Sequence, residues 1–319
     1  MSRRLALLGS LVAVAVLLLT PTAILAAESP IFAAVRSGRI QAVRAALAAD
    51  PGSVNAQTSQ EWSPLHVAAL AGNVRIGRLL LDKGANVRAK TENGNSALHY
   101  AVSRDRRGFA ALLLSRGARV NAKNNYGQTG LILAAQLGQV KMAKLLLDRG
   151  ANINAKDNGG NTALHMAAYK GRLPVAVLLV KRGAQVNALN TDKNTPLHTA
   201  AMYGSTRVAS YLLLRGAAKN AVNRQGQSPL IVALTYGRQG VARLLILRGA
   251  DVNLPNARSG ETPLHLCAQK GYLALAKLLI RKGAQVNVKD ARRRTPLAWA
   301  VRNNHQRVAD LLRRHGGVM

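Results

Sequence analysis

The sequence predicts an all-α fold in which about nine helix-turn-helix units stack side by side. Three observations carry this reading. The segment "NTALHMAAYKG" (161–171) returns as "NTPLHTAAMYG" (194–204), 33 positions later. Related starts recur at Ser29, Ser63, Ser96, Thr129, Thr162, Thr195, Ser228, Thr262 and Thr295, in steps of 33 or 34. Aromatic residues form only 3% of a chain that is 48% hydrophobic, which suits close-packed short helices better than a sheet sandwich. A period of this length marks one unit that buries its apolar face only against copies of itself.

The chain opens with "MSRRLALLGSLVAVAVLLLTPTAILAAESP". Arg3 and Arg4 form a short basic start, Leu5 to Leu19 is apolar, Pro21 interrupts, and Ala26 and Ala27 precede Glu28. That order is expected of a secretory signal peptide over residues 1–27, with the repeat domain over 28–319. An uncleaved anchor is the other reading, because the stretch from Leu5 to Ala27 is long enough to span a bilayer. Both place the repeats outside the cytoplasm, in the periplasm or beyond the cell.

Each unit then reads in the same order. Ser or Thr caps a helix, and Pro64, Pro196, Pro229, Pro263 and Pro296 occupy its first turn, where the missing N–H costs nothing. Small pairs such as Ala68-Ala69 and Ala200-Ala201 let neighbouring helices approach, and a Gly such as Gly72 or Gly204 turns the chain. A second helix carries runs such as Leu79 to Leu81 and Leu212 to Leu214, and ends at a Gly such as Gly84 or Gly216. The polar remainder, for example "ANINAKDNGG", reads as a projecting turn or hairpin. The longer step near "LPNARSG" is expected to be absorbed in a loop.

This pattern resembles the ankyrin repeat, whose signature stands here as "GETPLHLCAQKG", "KNTPLHTAAMYG" and "GGNTALHMAAYKG". The resemblance runs from about Ser29 to Gly316. It implies antiparallel helix pairs stacked into an ankyrin-repeat solenoid with hairpin fingers along one edge. Ile132 and Ala298 depart from it where His is usual, and Asp105 stands where a turn Gly is usual. The first unit lacks the His and the last helix is rich in polar groups, as expected of capping units.

His66, His99, His165, His198 and His265 occupy one place in five units. Stacked helices lie about 8–10 Å apart, whereas zinc ligands each sit about 2 Å from the metal, so these histidines are expected to be structural. The resemblance implies the same. No nucleophile elbow, phosphate-binding loop or metalloprotease motif is present in the sequence, so no enzyme and no cofactor or metal is expected. Cys267 takes the place of a small buried residue and has no partner for an internal disulfide. No Asn has Ser or Thr two places on, so there is no N-glycosylation acceptor, which favours a bacterial source.

The formal net charge is +32, and loss of Arg3 and Arg4 with the leader would leave +30. Such an excess either attracts a polyanion or an acidic protein or solubilises the surface. Lys83, Arg116, Arg149, Arg182, Arg215, Arg248 and Lys282 each precede a helix-ending Gly, where a cation complements the helix dipole.

In the resembled family the concave groove binds partners through finger tips and the residues before the turn Gly. Carried onto this chain, those positions are Trp62, Arg104, Tyr126, Tyr169, Lys170, Tyr203, Arg224, Tyr236, Lys270, Arg292, Arg293, Arg294 and Arg302. Tyr, Trp and Arg are the side chains enriched at interface hot spots. Two functional readings follow. One is a monomeric protein-binding scaffold with an acidic partner in the envelope or outside the cell. The other is a binder of an anionic envelope component such as lipid, lipopolysaccharide or acidic polysaccharide, with nucleic acid disfavoured by the leader. Membrane contact is expected only through an uncleaved leader.

Overall fold

Each Ser or Thr that opens a repeat ends an extended stretch and starts a helix in the computed structural model, which describes residues 29–319. The predicted leader lies outside the described residues. The cap chemistry is local: at Thr195 the hydroxyl accepts the N–H of His198, while Nδ1 of His198 takes the N–H of Thr195 at 3.2 Å. This reciprocal box satisfies two donors that a helix start leaves open, and Pro196 supplies none to satisfy.

The chain divides between Ala163 and Leu164 into two compact units. In the first, α1 (Pro30–Ser37) pairs with α2 (Ile40–Ala49), and α3 (Pro64–Ala71) with α4 (Val74–Asp82). There too α5 (Ala97–Ser103) pairs with α6 (Arg107–Ser115), and α7 (Gly130–Leu137) with α8 (Val140–Asp148). The second holds α9 (Ala163–Tyr169, from Leu164 on), α10 (Leu173–Lys181), α11 (Pro196–Tyr203), α12 (Thr206–Leu214) and α13 (Pro229–Thr235). It continues with α14 (Gln239–Leu247), α15 (Pro263–Lys270), α16 (Leu273–Arg281), α17 (Pro296–Arg302) and α18 (Gln306–Arg314). Within each unit, first helices pack on first helices and second helices on second helices. The all-α expectation is met: among the described residues the only β pairing is an isolated bridge between Lys90 and Ser96.

The two kinds of helix bury differently. First helices lie inside the stack, so Leu197, Ala200 and Ala201 of α11 are fully buried. Second helices bury one stripe at four-residue spacing: Ile76 and Leu80, Phe109 and Leu113, Val208 and Leu212, Val308 and Leu312. Each such side chain contributes about 1.5–3 kcal/mol of transfer free energy. Arg307, Arg313 and Arg314 of the last helix, α18, stay exposed opposite its stripe.

Turns between paired helices need the left-handed backbone. Gly204 supplies it at φ 78°, and Asp105 adopts it at φ 51° in the unit that lacks the Gly. The departure at Asp105 therefore changes the local cost and not the turn.

At five repeats an asparagine pins the chain that leaves one second helix to the repeat that follows. Asn121 donates to the Gly150 carbonyl at 3.3 Å and accepts the Asn152 N–H at 2.8 Å. Asn55, Asn187, Asn253 and Asn287 make the same bridge.

Candidate partner-binding surface

The fingers are built by side chains that mimic backbone. Asn223 Oδ1 accepts the N–H groups of Gln225 and Gln227, folding the tip between them; Asn124, Asn190 and Asp290 do the same. Neighbouring fingers bond through backbone. In the first unit Asn125 N–H donates to Asn93 and Asn158 N–H to Tyr126, and in the second Arg224 N–H donates to Asp192 and Ala291 N–H to Ser259.

The histidines tie fingers to helices. With Nδ1 taken by the cap N–H at His66, His99, His198 and His265, those rings must carry their proton on Nε2, and in all five Nε2 meets a carbonyl at the foot of the next finger. The pairs are His66 to Ala89, His99 to Gln128, His165 to Asn194, His198 to Gln227 and His265 to Arg294, at 3.0–3.1 Å. Burial lowers His66, His99 and His198 to about 4, against partial opposition from the carbonyls they bond, and lowers His265 as well. Neutral, fully bonded rings are the structural role expected of them. No group of three or more His, Cys, Asp or Glu among the described residues is placed to hold a metal ion. Cys267 is fully buried, and burial pushes its thiol far up.

In the first unit, Trp62 is half-buried because Tyr100 stacks on it, with ring centroids 4.3 Å apart. Tyr100 is missed by the sequence reading; it is buried, and its hydroxyl meets Thr91 Oγ1 at 3.2 Å. Tyr126 is half-buried at a finger tip, and Arg104 is half-buried at the end of α5. Trp62, Arg104 and Tyr126 therefore sit on three separate elements, with one face of the tryptophan ring already covered.

The second unit brings several predicted residues together. Tyr169 and Tyr203 meet edge to face at 4.4 Å, and the Lys170 ammonium lies 4.5 Å from the Tyr169 ring centre. Burial, then the neighbouring phenols of Tyr169 and Tyr236, push Tyr203 up to about 12 against the pull of Arg238. The Tyr203 hydroxyl is therefore a neutral donor at any physiological pH. Tyr236 beside it is 49% exposed. Arg238 is a second residue missed by the sequence reading. Its Nε donates to the Met202 carbonyl at the end of α11, 3.1 Å away. The signal was present, since Arg106, Arg172 and Arg238 recur at two repeat lengths just after the turn.

The predicted cations divide into two kinds. Arg294 is committed inside the chain: it donates twice to Asp290 Oδ2, at 3.2 and 3.1 Å, and stacks on Trp299 at 3.8 Å. Asp290 Oδ2 also accepts from Trp299 Nε1 at 2.9 Å. Burial would raise the Asp290 carboxyl, but these donors outweigh it and hold it below the usual range. Arg224, Arg292, Arg293 and Arg302 are exposed, and Lys270 is half-buried at the end of α15. The other basic column lies at second-helix ends, where Lys83, Arg116, Arg149, Arg182, Arg215, Arg248 and Lys282 are the cap residues.

Paired helices, glycine turns, capping histidines and bonded fingers define a repeat protein whose chemistry is that of a surface for contact. The family described as ankyrin repeats, three copies to the match, fits residues 31–124, 112–190, 183–256 and 254–318. The chain belongs to the ankyrin-repeat family. Comparison with curated proteins gives no match. Ankyrin repeats generally mediate protein–protein interaction and are generally non-enzymatic.

Proposed function

We propose that this ankyrin-repeat protein is exported and holds an acidic protein segment against the tyrosine cluster and finger tips of its second unit. The observation that carries the reading is the grouping of Tyr169, Lys170, Tyr203 and Tyr236, with Arg238 in electrostatic reach of Tyr203. The three tyrosines present large area with little side-chain entropy to lose, and Lys170 and Arg224 offer charge to a carboxylate. Export rests on the basic-apolar-small order of residues 1–27 and predicts a mature chain that begins at Glu28.

A photo-crosslinking residue at Tyr203 tests the reading, with one at Arg243, exposed on α14, as the comparison. A discrete protein captured from position 203 alone, at low and high salt, and lost on changing Tyr169 and Tyr236 to Ala supports it. Capture only of anionic lipid or polysaccharide, released by salt from both positions, assigns the charge to a polyanion instead. N-terminal sequencing of the cell-envelope and secreted fractions checks the start at Glu28.

A further inference from the structure

One asparagine of the bridging column is missing in the first unit, and an arginine takes its place. Where Asn55 and Asn121 accept the N–H of Asn86 and Asn152, the corresponding side chain is Arg88, which has no acceptor to offer the Arg119 N–H. No described residue accepts that N–H, and neither the Arg88 nor the Arg119 guanidinium has a partner among the described residues. Both line one cleft of about 530 Å³, together with Lys90, Lys123, Val87 and Val120. No acidic side chain lines it. The lysine heads are held in place, since Lys90 donates to the Lys123 carbonyl at 2.8 Å and Lys123 to the Lys156 carbonyl at 2.7 Å.

We propose that this cleft binds a phosphate monoester, one oxygen of which accepts the Arg119 N–H where neighbouring units place an asparagine oxygen. Guanidinium forks match phosphate oxygens in pairs, and the two forks of Arg88 and Arg119 with Lys90 suit a dianion, while Lys123 also faces the Asp157 carboxylate. The volume exceeds that of an inorganic phosphate and lies in the range of small-molecule sites, and the two valines give the ester's organic group an apolar wall. The site is independent of the tyrosine cluster.

Titration calorimetry of the full chain with phenyl phosphate tests it. Saturable binding at one site is expected. Arg88→Asn weakens it at least tenfold and raises the melting temperature, because the new amide can bridge Gly117 and Arg119 as Asn121 bridges Gly150 and Asn152. Arg119→Gln weakens it as well, while Arg207→Gln, the same charge change at an exposed position on α12, leaves it unchanged. Phosphatidylcholine vesicles containing phosphatidic acid separate the sources of the ester. Vesicle binding lost in Arg88→Asn assigns a lipid headgroup, and binding of phenyl phosphate without vesicle binding assigns a soluble ester. The proposal is overturned by absence of binding in both arms, by full binding in Arg88→Asn, or by equal weakening in Arg207→Gln.

Discussion

The finger from Asn223 to Gln227 and the one from Asn256 to Glu261 belong to consecutive repeats yet differ by one residue. The shorter closes with Asn223 N–H on the Gln227 carbonyl at 3.1 Å, and His198 holds that carbonyl from below at 3.0 Å. The longer closes from Asn256 to Glu261 at 2.9 Å, stands after the helix whose His position is Ile231, and is steadied by Ser259 on Glu261 at 2.8 Å. A histidine tether requires its carbonyl at one fixed height. The extra residue sits where no such tether has to be met; since Ile132 precedes a finger of ordinary length, Asp157 to Asn161, loss of the His permits the insertion without requiring it.

Acid gives the largest break in this comparison. An unfolded histidine titrates near 6.5, whereas His66, His99 and His198 in the folded chain titrate at about 4. The unfolded state therefore binds protons first as pH falls. Stability is full above about pH 6.5 and is lost progressively toward pH 4, by up to about 3 kcal/mol for each of the three. Urea unfolding between pH 7 and 4.5 checks the total. Amide exchange, corrected for intrinsic rates, should lose protection in the Asn223 finger before the Asn256 finger; simultaneous loss would refute the tether argument.

Removing the carboxylate that closes a histidine-tethered finger comes next. The finger before α17 is closed by Asp290, which serves Arg292, Arg294 and Trp299 at once. Asp290→Ala leaves the Arg294 charge and the Trp299 N–H without it, and is expected to cost about 3 kcal/mol in chemical unfolding. Ile231→His is expected to cost about 2 kcal/mol, since a buried imidazole would face a finger of the wrong length. Combining it with deletion of Ser259 should recover part of that loss, a coupling that a double-mutant cycle measures. The smallest effect lies at the tips, where Lys193 and Arg293 hold φ 56° and 59° in a place that Gly127 and Gly226 fill elsewhere. Lys193→Gly or Arg293→Gly should stabilise by about 1 kcal/mol, read as a rise in melting temperature.

The helix pairs were legible because their signals are local: a cap, a proline, an apolar stripe and a stop within each 33-residue period. The histidine role was legible too, since a residue repeated at helix-stacking distance cannot converge on one atom. Side-chain partners in the next repeat were less so. Tyr100 covers Trp62, and Asp290 claims Arg294, through contacts set by which rotamer faces a neighbour, and column position carries no record of that. Arg238 and Arg88 lie between these cases. Arg88 stands out in its column and Arg238 recurs in its own, but only the bonds made around each say what it does.

Cys267 offers a use that follows from its burial alone. The chain has a single thiol, placed on α15 and closed to solvent. Its alkylation under native conditions therefore runs as a stopwatch for opening of the second unit, one chemical event per chain with no competing site to subtract. Ligands that clamp that unit would slow it in proportion to how much they stabilise the closed form, so a single mass measurement converts binding at a distant surface into a rate.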